Sequence, residues 1–243
     1  MTSTFLRNTL LVAMLGLTLG GCQLLGSAQP KSENLRSEVR SPGCQGEECP
    51  LVNIDTLTFS EEPALTRLVD LRLRQMTQFT PDDQVPDSLD NYRKDFLAKA
   101  EPGWSSYLQA KVRQSHGDLV IIELSSYLFT GGAHGMPGRG FINYDLKQHR
   151  EIQLENVLLP GQEKAFWEKA ADAHWKWLAD NGFARDDDFI QFWPFQRTPH
   201  VALLKEGVLL KYDVYAIAPY SSGHPELLIP YGQLQGILKP SYL

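Results

Sequence analysis

Between Trp104 and Leu146 the chain can do little other than run back and forth as a β-meander. From Trp104 to Gln114 apolar and polar positions alternate: Tyr107 and the stem of Lys111 interleave with Leu108, Ala110 and Val112, the two-residue period of a strand with one face buried. Ser115-His116-Gly117-Asp118 is a turn signal, and the strongly apolar run Leu119 to Leu128 follows it, so a hairpin is expected. Next comes a loop containing Gly131, Gly132, Gly135 and Gly138, with His134 and Pro137 among them, a composition that specifies a backbone path and little packing. Gly140 to Leu146 then returns as a further strand.

Flanking segments add helices on both sides of this meander. Leu51 to Phe59 reads as a strand, Leu65, Leu68, Val69, Leu73 and Met76 form one helical stripe, and Ser88 to Ala100 reads as a second helix. Glu151 to Leu154 continues the meander, and the longest helix runs from Gly161 to Asn181, with Gly182 placed for a left-handed C-terminal cap. Val201 to Leu204, Val208 to Val214 and Leu227 to Ile229 close the chain as strands, after a loop from Phe183 to Pro199. The pattern predicts an α+β fold, a mostly antiparallel sheet with helices packed on one side and no βαβ alternation. Its parts are residues 51–103, an N-terminal strand and helices, and 104–243, the sheet and the long helix.

The first fifty residues are of another kind. Arg7 precedes an apolar run, Leu10 to Leu19, that is too short for a stable membrane anchor, so residues 1–21 read as a signal peptide. Leu19-Gly20-Gly21-Cys22 resembles the bacterial lipobox, in which the peptide is cut before the cysteine and the thiol is lipidated. Gln23 follows in place of the aspartate associated with inner-membrane retention, so the resemblance implies an outer-membrane lipoprotein, facing the periplasm or the surface. Residues 22–50 are rich in Ser, Gly, Pro and Glu, lack periodicity and are expected to be a flexible tether. Within it, Cys44 and Cys49 form an even pair, and a local disulfide is expected in an exported protein.

The whole chain carries a formal charge of −6. Removing residues 1–21 removes one basic residue, Arg7, and leaves −7, which disfavours nucleic acid as a partner and permits a basic protein. A nucleophile elbow, a His-Glu-x-x-His helix and a second cysteine pair are all missing, so neither catalytic chemistry nor a cofactor or metal is expected. Glu123, Asp145 and Glu155 are acids that could meet in space, although no spacing singles out a pair. Asp186-Asp187-Asp188 lacks calcium-loop spacing and reads as a turn or helix cap. His174, on the apolar face of the long helix, reads as a hydrogen-bonded core histidine, and His134 as a residue that bonds the backbone of its own loop. Tyr127, Phe129, Tyr144, Phe192, Trp193, Phe195, Tyr215 and Tyr220 supply aromatics suited to protein or sugar contact.

Tyr127-Leu128-Phe129-Thr130-Gly131-Gly132-Ala133-His134-Gly135, with Asn143-Tyr144-Asp145-Leu146, Glu151-Ile152-Gln153-Leu154 and the closing strands, resembles the RsiV-like exported domain. That resemblance spans about Leu51 to Leu238. It implies a non-catalytic binding domain, held in the envelope by lipid on Cys22, that recognises lysozyme or another peptidoglycan-associated protein. A peptidoglycan-modifying enzyme and a structural envelope lipoprotein are the alternatives. Candidate binding residues are Tyr127, Thr130, Gly131, Gly132, His134, Arg139 and Tyr144, expected on or near one exposed edge.

Overall fold

The structure, a computed structural model, describes residues 30–78, 80 and 82–243. The signal-peptide segment 1–21 and the lipidation position Cys22 lie outside the described residues. In chain order the elements are β1 (Ser32–Arg40), β2 (Leu51–Phe59), α1 (Pro63–Gln75), α2 (Leu89–Lys99), β3 (Ser105–His116), β4 (Leu119–Phe129), β5 (Met136–Asp145), β6 (Arg150–Glu151), α3 (Leu154–Val157), α4 (Glu163–Asp180), α5 (Asp187–Phe192), β7 (Val201–Leu203), β8 (Gly207–Lys211) and β9 (Glu226–Pro230). Among the described residues the strands form a six-stranded sheet, ordered β1 to β6, and a three-stranded sheet, ordered β7 to β9. The fold is therefore α+β and mostly antiparallel, as the sequence pattern predicts.

Two local expectations are corrected. β2 and β3 pair in parallel, Leu51 with Ser105 through Asp55 with Gln109, so α1 and α2 form a crossover between parallel strands where hairpins alone were expected. The expected tether is also ordered in part, because β1 pairs antiparallel with β2 along its whole length, from Ser32 opposite Phe59 to Arg40 opposite Leu51. Composition misleads here for a physical reason. β1 is an edge strand with mostly exposed side chains, so it carries no apolar alternation, and its backbone pairing is supported by Arg36 Nε, 3.3 Å from buried Asp55. Cys44 and Cys49 form the expected disulfide across the bend between β1 and β2.

β4 is the structural centre of the molecule. Val120, Ile122 and Leu124 enter a core with Leu65, Val69 and Leu73 of α1, while Ile121 enters a second core with β7, β8 and α4. Burial on both faces explains why Leu119 to Leu124 is apolar with one polar interruption, Glu123. α1 and α2 thus pack on one face of the large sheet, and the C-terminal sheet covers part of the other. Buried Asn143 on β5 joins the two sheets: its Nδ2 donates to the Val201 carbonyl at 2.8 Å and its Oδ1 accepts from the Leu203 N–H at 2.7 Å. This amide acts as one rung of a β-ladder.

α4 ends as its glycine requires. Gly182 has φ +81°, Phe183 N–H donates to Leu178 O, and Gly182 N–H donates to Ala179 O, the paired bonds of a Schellman cap. Asp186 caps α5 through the Phe189 N–H, so the aspartate run serves a helix start.

His174 departs from expectation: it is buried against Trp177 and Phe195, but its Nε2 has no hydrogen-bond partner. Burial pushes its pKa below the ordinary histidine value. A depressed histidine contributes stability that is present above the unfolded pKa of about 6.5 and is lost as pH falls below it. Between pH 7 and pH 5 the thermal midpoint of wild type is expected to fall further than that of His174→Gln; equal slopes would contradict this.

Candidate functional site

The loop between β4 and β5 is built for shape. Gly131 and Gly132 have φ of +96° and +90°, in the left-handed region that disfavours side chains. At Gly135 the limit is space, because a Cβ would lie 2.4 Å from the Tyr127 ring and 2.7 Å from Leu128 O. The Tyr127 hydroxyl accepts the Gly135 N–H at 3.1 Å, tying the end of the loop to the strand before it.

His134 is exposed at the tip, with both ring nitrogens engaged. Nδ1 lies 3.0 Å from Gly135 O, so it must carry the proton there, and in the neutral ring Nε2 accepts from the Tyr215 hydroxyl at 3.0 Å. Its ring stacks on Tyr220 with centroids 3.8 Å apart, and the Tyr220 hydroxyl donates to Gly135 O at 3.2 Å. Tyr215 is 5.6 Å from Tyr220 and stacks with Trp193 at 6.4 Å. Three distant segments thereby form one aromatic patch: the glycine loop, the turn Tyr215 to Tyr220, and the end of α5. Phe192, at 75% exposure, stands beside Trp193 in the chain.

Tyr215 is the unusual member of this patch. Its φ is +66° and nearly half its surface is exposed. A bulky non-glycine residue in that conformation costs on the order of 1–2 kcal/mol, and such outliers cluster where a side chain must be presented.

Arg139 sits farther along β5. Its N–H donates to Asp213 Oδ1 at 3.0 Å, and Asp213 Oδ2 lies 2.9 Å from His200 Nε2. Burial lowers the pKa of Asp213's neighbour Arg139, against the opposing charges of Glu123 and Asp213. For Asp213, burial acts upward, but the His200 hydrogen bond and charge and the Arg139 N–H outweigh it and hold the carboxyl low.

Among the sequence candidates, Tyr127, Gly131, Gly132 and His134 come together at the loop. Thr130 is exposed beside them and also lines a neighbouring groove with Tyr92 and Trp104. Tyr144 does not belong to this edge. It is 1% exposed, lies in the core with α1, and its hydroxyl reaches Glu62 at 3.3 Å. At about 3.3 Å per residue, β5 carries it roughly 26 Å from the loop end, and its strand phase turns it toward the helices.

The acids do not converge either. Register places Asp145 opposite Leu119 and Glu123 opposite Phe141, four residues or about 13 Å apart along β4. Glu123 binds Lys211 and Arg113, Asp145 accepts from the Lys147 and Gln148 N–H groups, and Glu155 lies in the first turn of α3. Among the described residues, no group of three or more His, Cys, Asp and Glu side chains could hold a metal ion. No helix among them is long and apolar enough to cross a membrane. Lys211 and Asp213 gave no signal in the sequence, where each sits in an alternating strand pattern as an ordinary outward-facing charge.

The family model described as a protein of unknown function (DUF3298) matches residues 155–232. Among solved structures, a DUF3298 family protein from Pseudomonas aeruginosa PAO1 is 60% identical, with 89% of this chain and 97% of that chain covered and a TM-score of 0.85. A DUF3298 family member from Bacteroides fragilis NCTC 9343 is 19% identical over 88% of this chain and 94% of its own, with a TM-score of 0.66, and shares the fold. No curated protein matches the sequence significantly. With that identity carried across nearly the whole folded body, the chain belongs to the DUF3298 family.

Proposed function

We propose that this chain is an envelope-held binding protein that recognises another macromolecule through the patch of His134, Trp193, Tyr215 and Tyr220. The observation that carries this reading is Tyr215, an exposed aromatic kept in a left-handed backbone and braced by His134. Glycine and asparagine are the usual residues in that backbone region, and a bulky tyrosine there is an outlier. Rigid, half-exposed aromatics with hydroxyls at their tips are the residues that anchor protein interfaces.

The Cys44–Cys49 disulfide fits an oxidising compartment, and the lipobox-like Leu19 to Cys22 supports a lipid anchor on the outer membrane. The resemblance of Thr130 to Gly135 to the RsiV-like domain supports lysozyme, or a basic muramidase of that kind, as partner, and the acidic net charge suits it. The piece to test must keep β1, since starting at Leu51 would strip that strand from the sheet.

Mixed with lysozyme at about 10 μM, this piece is expected to co-elute with it and to lower its lytic activity. Tyr215→Ala is expected to weaken the complex about tenfold or more without unfolding the protein. No complex, with lysis unchanged, would remove lysozyme as the partner; a complex indifferent to Tyr215→Ala would remove the patch.

A further inference from the structure

We propose that a cavity under the first half of β5, beside the aromatic patch but lined by none of its four rings, binds a small anionic amphiphile: a carboxylate on a short acyl chain, with Arg139 taking the head group. The cavity is about 450 Å³, within the size range of small-molecule sites. It exists because the sheet changes character. Along β4 and β5 the face toward α1 carries Ile122, Leu124, Ile142 and Tyr144, which fill the core, and then Ser126 and Gly138 as a paired step.

The small residues are required at this step. A Cβ on Gly138 would lie 2.6 Å from Ser126 Oγ, with Met76 Cε 3.6 Å away. What remains is a space walled by Met76, Leu108, Leu128 and Val214. The other polar side chains of the wall are engaged within the protein: Tyr92 with Ser106 at 2.6 Å, Thr77 Oγ1 and Gln78 Nε2 as donors to Arg74 O and Asp83 O, and the Tyr127 hydroxyl as acceptor of the Gly135 N–H, so the body of the cavity suits an apolar occupant.

Arg139 sets the charge of that occupant. It lines the cavity, is half-buried, and uses one side-chain donor, Nη1, to Gly138 O at 2.8 Å. Among the described residues it makes no ion pair within 4.0 Å, whereas the nearest acid in the wall, Asp213, is already engaged at both oxygens by the Arg139 N–H and by His200. A planar guanidinium with most of its fork unspent, at one end of an apolar space, matches a carboxylate bidentately. Burial lowers the stability of its charge and the carboxylates of Glu123 and Asp213 offset this only in part, so an anion in the cavity would relieve the remainder.

Decanoate is the probe, titrated calorimetrically into the protein below its micelle concentration, beside decyltrimethylammonium of equal chain length. Decanoate is expected to bind at one site per chain, at least about tenfold more tightly than the cation. Arg139→Gln is expected to lose about tenfold of that affinity while keeping its circular dichroism and unfolding midpoint. Ser126→Leu, which fills the cavity, is expected to abolish binding. The assignment is overturned if decanoate shows no stoichiometric binding at 1 mM, if the cation binds equally well, or if Arg139→Gln binds decanoate as wild type does. The anion-to-cation comparison needs no variant, so the assignment stays testable even if a substitution unfolds the protein. Lysozyme binding plays no part in it, so either reading can fail alone.

Discussion

Replacing Lys211 with methionine is expected to destabilise the fold by about 3 kcal/mol, seen as a lower urea midpoint with an unchanged slope. Lys211 is 8% exposed on β8, and its Nζ donates to Glu123 at 2.6 Å and to Glu226 at 2.8 Å. Arg113 on β3 meets the same two carboxylates at 3.2 Å each, so two cations and two anions alternate across the seam between the sheets. Methionine keeps the volume but leaves two acids sharing a single arginine in a partly dry setting. Removing one member of such a set costs far more than removing all of it, because the loss is dominated by the charge left unpaired. Lys211→Met combined with Glu123→Gln and Glu226→Gln is therefore expected to recover much of the loss. A midpoint unchanged in Lys211→Met would show that the seam is held by packing alone.

The same cluster sets part of the acid limit. Burial raises the Glu123 pKa, but the hydrogen bond and charge of Lys211, with Arg113 and Arg139, outweigh it and bring the net value below the ordinary one. A depressed carboxylate contributes stability above its unfolded pKa, near 4.3, and loses that contribution as pH falls through the folded value.

Gly207→Ala should be about as damaging, roughly 3 kcal/mol, for a steric reason. Gly207 opens β8 opposite Pro230 of β9, and a Cβ there would lie 2.3 Å from Ile229 O and 2.9 Å from both Ile229 C and Pro230 Cα. All three are backbone atoms of a paired strand, so nothing flexible can yield. Gly182→Ala is the control: its φ is +81° but no atom lies within 4 Å of the added Cβ, so only backbone strain of about 1 kcal/mol is expected. Similar losses in the two variants, measured by thermal and urea unfolding, would mean that the β8–β9 contact relaxes.

Legibility followed whether information was local. The Ser115 to Asp118 turn, the helical stripe Leu65, Val69, Leu73, and the glycine cap after α4 were readable because each depends on neighbours within a few residues. β1 was not readable: an edge strand needs no apolar face, so Glu33, Arg36, Glu38 and Arg40 look like linker until β2 is placed beside them. Tyr144 was misplaced for the complementary reason. It shares a sequence neighbourhood with the loop, but the extended chain from Met136 carries it nearly to the far end of β5.

The candidate site divides the same way. His134, its glycines and Tyr127 form a local unit, and their mutual hydrogen bonds follow from spacing along one loop. The partners that make it a surface, Tyr215, Tyr220 and Trp193, come from more than fifty residues away, and no pattern along the chain links them to His134.

By itself, then, the sequence determined the α+β class, the meander of β3 to β5, the Cys44–Cys49 pairing and the shape of the glycine loop. Hydrophobic period, turn chemistry and short-range closure are written locally. Only the tertiary structure decided that β2 and β3 run parallel, that Glu123 and Lys211 meet across two sheets, that Arg139 lines a cavity beside Asp213, and that Tyr215 braces His134. Those outcomes depend on which distant side chains the packed layers bring within a few ångströms, and contact across layers leaves no period in the chain.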